Sequence, residues 1–116
     1  MSLISRSGEG RRPLKGSVMA AYLQVWKAKV ADDDVEDLLS VRPAAIAEAK
    51  RLCPVLVRAE LVRASDGVWL DVLTWSAPDG EEQLMARAGE FDALHRMHGL
   101  LEGAEQVGRG EVASSA

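Results

Sequence analysis

The chain predicts an α+β domain in which a four-stranded antiparallel sheet carries its helices on one face. Three observations predict it. Val55 to Arg63 and Val68 to Trp75 are β-rich runs separated by Ala64-Ser65-Asp66-Gly67, a turn with an Asp-Gly pair, and together they read as a β-hairpin. Segments with helical spacing stand on both sides of that hairpin. A strand-like run opens the patterned region at Met19, and a weaker one closes it after Gly103.

Taken in order, residues 1–17 are rich in Ser, Gly and Arg without a hydrophobic period, and a mobile N-terminal tail is expected there. The folded domain is expected over residues 18–112, with a short C-terminal tail over 113–116. From Met19 to Val30 the strand pattern puts Tyr22, Gln24, Trp26 and Ala28 on one face and Leu23, Val25 and Lys27 on the other. Asp32-Asp33-Asp34 offers an N-cap and negative charge to a helix whose stripe is Val35, Leu38, Leu39, Ile46 and Ala49. Pro43 is expected to kink or restart that helix, and Pro54 to close it. The three Asp residues lack the spaced ligands and loop glycine of a calcium-binding turn, so capping is the better reading.

After the hairpin, Ser76 is expected to cap a helix with Pro78 in its first turn, where Asp79, Glu81 and Glu82 suit the positive end. Gly89 breaks that helix, and a second piece carries Phe91 to Leu101. Ala104 to Val112 is a weak strand by propensity, since glycines interrupt it, and its warrant is topological. With it the order becomes β-α-β-β-α-β, a ferredoxin-like arrangement with helices on one face of the sheet. The other face is left bare, and two copies pairing face to face into a dimeric α/β barrel would cover it.

Composition narrows the function classes. With 116 residues, 47% hydrophobic and 28% charged, the chain is expected to form one ordinary globular domain. A formal charge of −4 provides no broad basic surface, so nucleic acid is not an expected partner. No apolar run is long enough to span a bilayer, and the lone Cys53 fits a reducing, cytoplasmic setting. Cys53 lies at a helix end before Pro54, away from any helix N-terminus that would activate a thiolate.

Chemistry concentrates between Val68 and His98. His95 and His98 stand at i and i+3 on one helical face, and Phe91 and Leu94 turn that face inward. A metal would need a third ligand that the local sequence does not supply, so no metal is expected. A neutral imidazole is suited to deprotonating an acidic hydroxyl, and His95 is the candidate general base, with His98 read as peripheral. Trp26, Trp69 and Trp75 suit either core packing or a flat aromatic ligand. Trp26 is the stronger ligand candidate, because Tyr22 and Gln24 share its face and can supply hydrogen bonds.

The opening strand YLQVWKAKV, Pro54 before the second strand, the run VWLDVLTWSAPDGEEQ and the segment EFDALHRMHG together resemble the antibiotic-biosynthesis monooxygenase family of dimeric α/β barrels over Ala20 to Val112. The resemblance implies a homodimer and a cofactor-independent oxygenase acting on a small aromatic or quinol-type substrate. His95 would then be the base, with Trp26, Tyr22, Gln24 and Phe91 holding the ring. Haem-degrading members carry an Asn on the first strand, a Trp on the second helix and a His beyond it. FDALH matches the last of these at His95, but Trp26 stands near the Asn position and Met85 or Ala86 at the Trp position, so no haem or other cofactor is implied. The alternative is a non-catalytic dimer that binds a small molecule or serves as an accessory subunit; a weaker one is an isomerase or cyclase using the same base without oxygen.

Overall fold

A computed structural model describes residues 20–115, and the tail expected over residues 1–17 lies outside the described residues. Strands β1 (Tyr22–Lys29), β2 (Leu56–Ser65), β3 (Val68–Trp75) and β4 (Glu102–Glu111) form one sheet in the order β2-β3-β1-β4. Every neighbouring pair is antiparallel. Helices α1 (Val35–Leu52), α2 (Gly80–Met85) and α3 (Ala93–His98) complete the ferredoxin-like order. The apolar core lies between the helices and the inner face of the sheet.

The hairpin forms as its sequence predicts, with Gly67 at φ 68°, a left-handed conformation that glycine adopts without a Cβ penalty. Along β1 the alternation also holds: Gln24 and Ala28 are buried, while Lys27 and Lys29 are exposed. The glycine-bearing β4 pairs along β1 with register shifts between Val25 and Trp26 and between Lys27 and Lys29. Such bulges accommodate residues that a regular ladder would not.

Several local expectations are corrected. Asp32–Asp34 forms a 3-10 turn ahead of α1 and makes no side-chain cap hydrogen bond, so its carboxylates act through charge at the helix start. α1 runs through Pro43 without restarting, because one missing N–H on an exposed position is outweighed by the buried stripe Leu38, Arg42, Ala45, Ala49 and Leu52. Leu39 falls off that stripe and is 49% exposed. α2 starts at Gly80 rather than near Ser76, since the Ser76 N–H is committed to the Val55 carbonyl at 2.8 Å and extends the sheet edge instead.

α3 also begins later than Phe91, at Ala93. The Glu48 carboxylate of α1 accepts the N–H groups of Asp92, Ala93 and Leu94 at 2.9, 3.1 and 3.2 Å. These are the orphan donors that open any helix, here satisfied by a residue distant in sequence. The outer face of the sheet carries no helix, and Val25, Leu70 and Val72 stand there half-buried beside the exposed Leu23.

Candidate functional site

A cleft of about 290 Å³ opens between the inner face of the sheet and the helices. Alternation along the strands builds its floor. Trp26 on β1 lies opposite Asp71 on β3, and Gln24 lies opposite Leu73, so these side chains share the inward face with Trp69 and Trp75. α1 contributes Leu38 and Arg42, α2 contributes Glu81 and Leu84, and α3 contributes Met97 and His98. At the β2 side the Arg63 guanidinium stacks 4.5 Å over the Trp69 ring.

The cleft is apolar through its middle and polar at two places. At the first, Gln24 is 2% exposed and fully engaged. Its Nε2 donates to Glu81 Oε1 and to Gln106 Oε1, both at 2.8 Å, and its Oε1 accepts the Trp75 indole N–H at 3.1 Å. Arg109 Nη1 stands 3.8 Å from the same Glu81 oxygen. Gln24 therefore spends both amide protons on the protein, fixing Glu81 at the wall and locking Trp75 to β1.

At the second place Arg42 and Asp71 form a double hydrogen bond, Nη1 to Oδ2 at 3.0 Å and Nη2 to Oδ1 at 2.8 Å. Arg42 Nη1 also points a proton at Met97 Sδ, 3.8 Å away. His98, beside Met97 on α3, borders the same region. Burial pushes the His98 imidazole below its ordinary pKa, the Asp71 carboxylate opposes that by raising it, and His95 adds to the lowering. The net direction is downward, which favours the neutral, proton-accepting form of an imidazole that stands at the cleft rim.

The sequence-derived candidates separate in space. Trp26 and Gln24 line the cleft, whereas Tyr22, Phe91 and His95 are not among its lining residues. Tyr22 packs against the core at the end of β1. Phe91 is buried beneath α3, its ring edge-on to His95 at 5.6 Å and to His98 at 6.5 Å between centroids. His95 and His98 are both exposed on α3, and of the two only His98 borders the cleft. Ala93, Leu94 and Met97 form the buried side of α3, and of these only Met97 lines the cleft, with His98 next to it at the rim.

Arg42, Asp71, Glu81 and His98 are the polar groups that the sequence reading did not assemble. A signal for one existed: Arg42 continues the spacing of Val35, Leu38, Ala45, Ala49 and Leu52, which puts a cation on the buried stripe of α1. Asp71 likewise stands on the inward face between Trp69 and Leu73. Among the described residues no group of three or more His, Cys, Asp or Glu side chains is placed to hold a metal ion. No helix among them is long and apolar enough to cross a membrane.

No family model matches the chain, and no curated protein does. Solved structures do. SnoaB, a cofactor-independent oxygenase from Streptomyces nogalater, solved as a point mutant, superposes with a TM-score of 0.64 at 19% identity, covering 84% of this chain and 97% of that one. A dimeric ferredoxin-like protein from an uncultured marine organism gives 0.61 at 13% identity, covering 84% and 91%. An antibiotic biosynthesis monooxygenase candidate from Chloroflexus aurantiacus J-10-fl gives 0.56 at 12% identity, covering 83% and 97%. These likenesses establish the fold, a ferredoxin-like one.

Proposed function

We propose that the cleft binds a small aromatic hydroxyl compound and that the protein is a cofactor-independent oxygenase in which His98 is the general base. The observation that carries this reading is the cleft itself: a cavity of about 290 Å³ with Trp26 on its floor and the His98 imidazole at its rim. That volume lies close to the lower end for small-molecule sites, roughly 300–1,000 Å³. The base takes the ring hydroxyl proton, the resulting electron-rich anion reduces oxygen, and apolar walls exclude water. Trp26 and Trp69 would face the ring, while Gln24 serves indirectly by holding Glu81. His95, expected as base from its place in FDALH, would act only by lowering the His98 pKa from outside the cleft.

A second copy of the chain would cover the outer sheet face, where Leu23, Val25, Leu70 and Val72 form an apolar centre. The dimeric ferredoxin-like neighbour supports that assembly. Cytoplasmic residence belongs to the same proposal and rests on the single unpaired cysteine.

Oxygen uptake with naphthalene-type quinols, corrected for autoxidation, tests the reaction. His98→Ala should lose about a hundredfold or more of the rate, the usual worth of a positioned base, while His95→Ala keeps most of it. An equal loss in both variants would refute His98 as the base. Ligand binding without oxygen uptake in the wild type would instead favour a non-catalytic binding or accessory protein.

A further inference from the structure

We propose that Arg42, clamped by Asp71, is an oxyanion-binding group that receives the ring oxygen as His98 removes its proton. The inference rests on the reading that the cleft binds an aromatic hydroxyl compound, and it assigns a further residue to that reaction. Arg42 is 9% exposed and lines the cleft. Of its five N–H protons, two go to Asp71 and one to Met97 Sδ. The Nε–H and the remaining Nη2–H have no partner among the described residues. Covalent geometry places these two donors side by side on one edge of the planar guanidinium, a ready fork for an oxygen.

An ion pair that opens into an apolar cleft is a costly way to stabilise a fold. Packed apolar side chains of similar volume do as well or better, so stability alone does not account for Arg42 and Asp71 at this place. A guanidinium whose positive charge is held by a carboxylate on one edge and left unpaired on the other does not move when the ligand ionises. Such preorganised donors favour the charge that develops, not the neutral ground state. The step is a proton transfer only: the hydroxyl O–H bond breaks, its proton goes to an imidazole nitrogen of His98, and the electron pair stays on the oxygen facing Arg42. Asp71 is a positioning residue here, and Glu81 is the other carboxylate on the cleft wall, held by Gln24.

The test is the ionisation of 2-naphthol bound to the full chain, followed by its absorbance across pH. The wild type should hold the bound naphthol at a naphtholate-to-naphthol ratio at least about tenfold above that in free solution, the factor expected from a charge-assisted hydrogen bond of about 1.4 kcal/mol or more. Arg42→Met alone strands the Asp71 charge and can fail to fold, so the decisive variant is Arg42→Met with Asp71→Leu. That double variant should melt no lower than the wild type and bring the ratio back to its free-solution value or below. Retention of the raised ratio in the double variant overturns the proposal. So does its loss in His98→Gln, which would make the histidine alone responsible. If His98→Gln keeps both the raised ratio and oxygen uptake, the base assignment fails while Arg42 stands. Absence of any naphthol binding in the wild type overturns both.

Discussion

Gly80 and Trp75 meet so closely that a Cβ on Gly80 would stand 2.3 Å from the Trp75 ring. Trp75 is itself pinned through its indole N–H to Gln24, so it has no room to withdraw. Gly80→Ala is therefore expected to destabilise the fold by about 1–3 kcal/mol, the cost of overpacking a full core, read from denaturant unfolding. At Glu48 the hydrogen bond from the Asp92 N–H, supported by those from Leu94 and Ala93, holds the carboxyl below its ordinary pKa against a smaller opposing effect of burial. A carboxyl depressed in the folded state adds stability that is present above its unfolded pKa and is lost as pH falls through the folded one. Glu48→Gln should lower stability at neutral pH by about 1 kcal/mol and flatten the acid limb of the stability curve. A wild-type acid limb in the variant would refute the Glu48 contribution. The three N–H groups it serves belong to a helix 44 or more residues away, so no local capping pattern announces it.

Among the elements, α1 best displays the contest between local and tertiary preference. Its Pro43 removes one backbone donor, yet the helix continues from Val35 to Leu52 because Leu38, Ala45, Ala49 and Leu52 are buried along one stripe. Pro43→Ala restores the missing hydrogen bond on an exposed position and should raise stability by about 1 kcal/mol, the gain being reduced by the freer unfolded chain. A loss of stability on thermal unfolding would mean that Pro43 shapes the path of α1 past the cleft. The hairpin and β1 were legible because strand alternation and an Asp-Gly turn are local signals. The short helices α2 and α3 were legible in kind but not in extent, since their starts are set by Val55, Trp75 and Glu48 from other elements.

At the scale of the whole molecule, one face of the sheet carries the helices and the cleft, and the other carries none. Val72 lies near the middle of the uncovered face, opposite Val25 on β1 and Glu60 on β2. Val72→Glu should convert the expected dimer to monomer by placing a like charge and an unsatisfied carboxylate at the centre of the contact. Sedimentation velocity of wild type and variant is the measurement, and a monomeric wild type would remove the dimer from the proposal. The cleft opens on the opposite side of the sheet, so the variant also separates assembly from ligand binding.

The sequence by itself determined the hairpin, the first helix and the inward face of β1, because each follows from periods and turn residues within a few positions of one another, and the order of these elements then implied the last strand and the helices-on-one-face architecture. It also brought Trp26 and Gln24 to the cleft, since strand alternation decides which side a residue faces. Only the tertiary structure decided which histidine borders that cleft. His95 and His98 are too close in sequence for a helical pattern to divide their roles, and only His98, next to Met97, stands at the cleft rim. Tertiary structure alone also joined Arg42 to Asp71 and Gln24 to Glu81, pairs 29 and 57 residues apart, because a salt bridge or amide clamp between distant elements leaves no periodic trace in the chain.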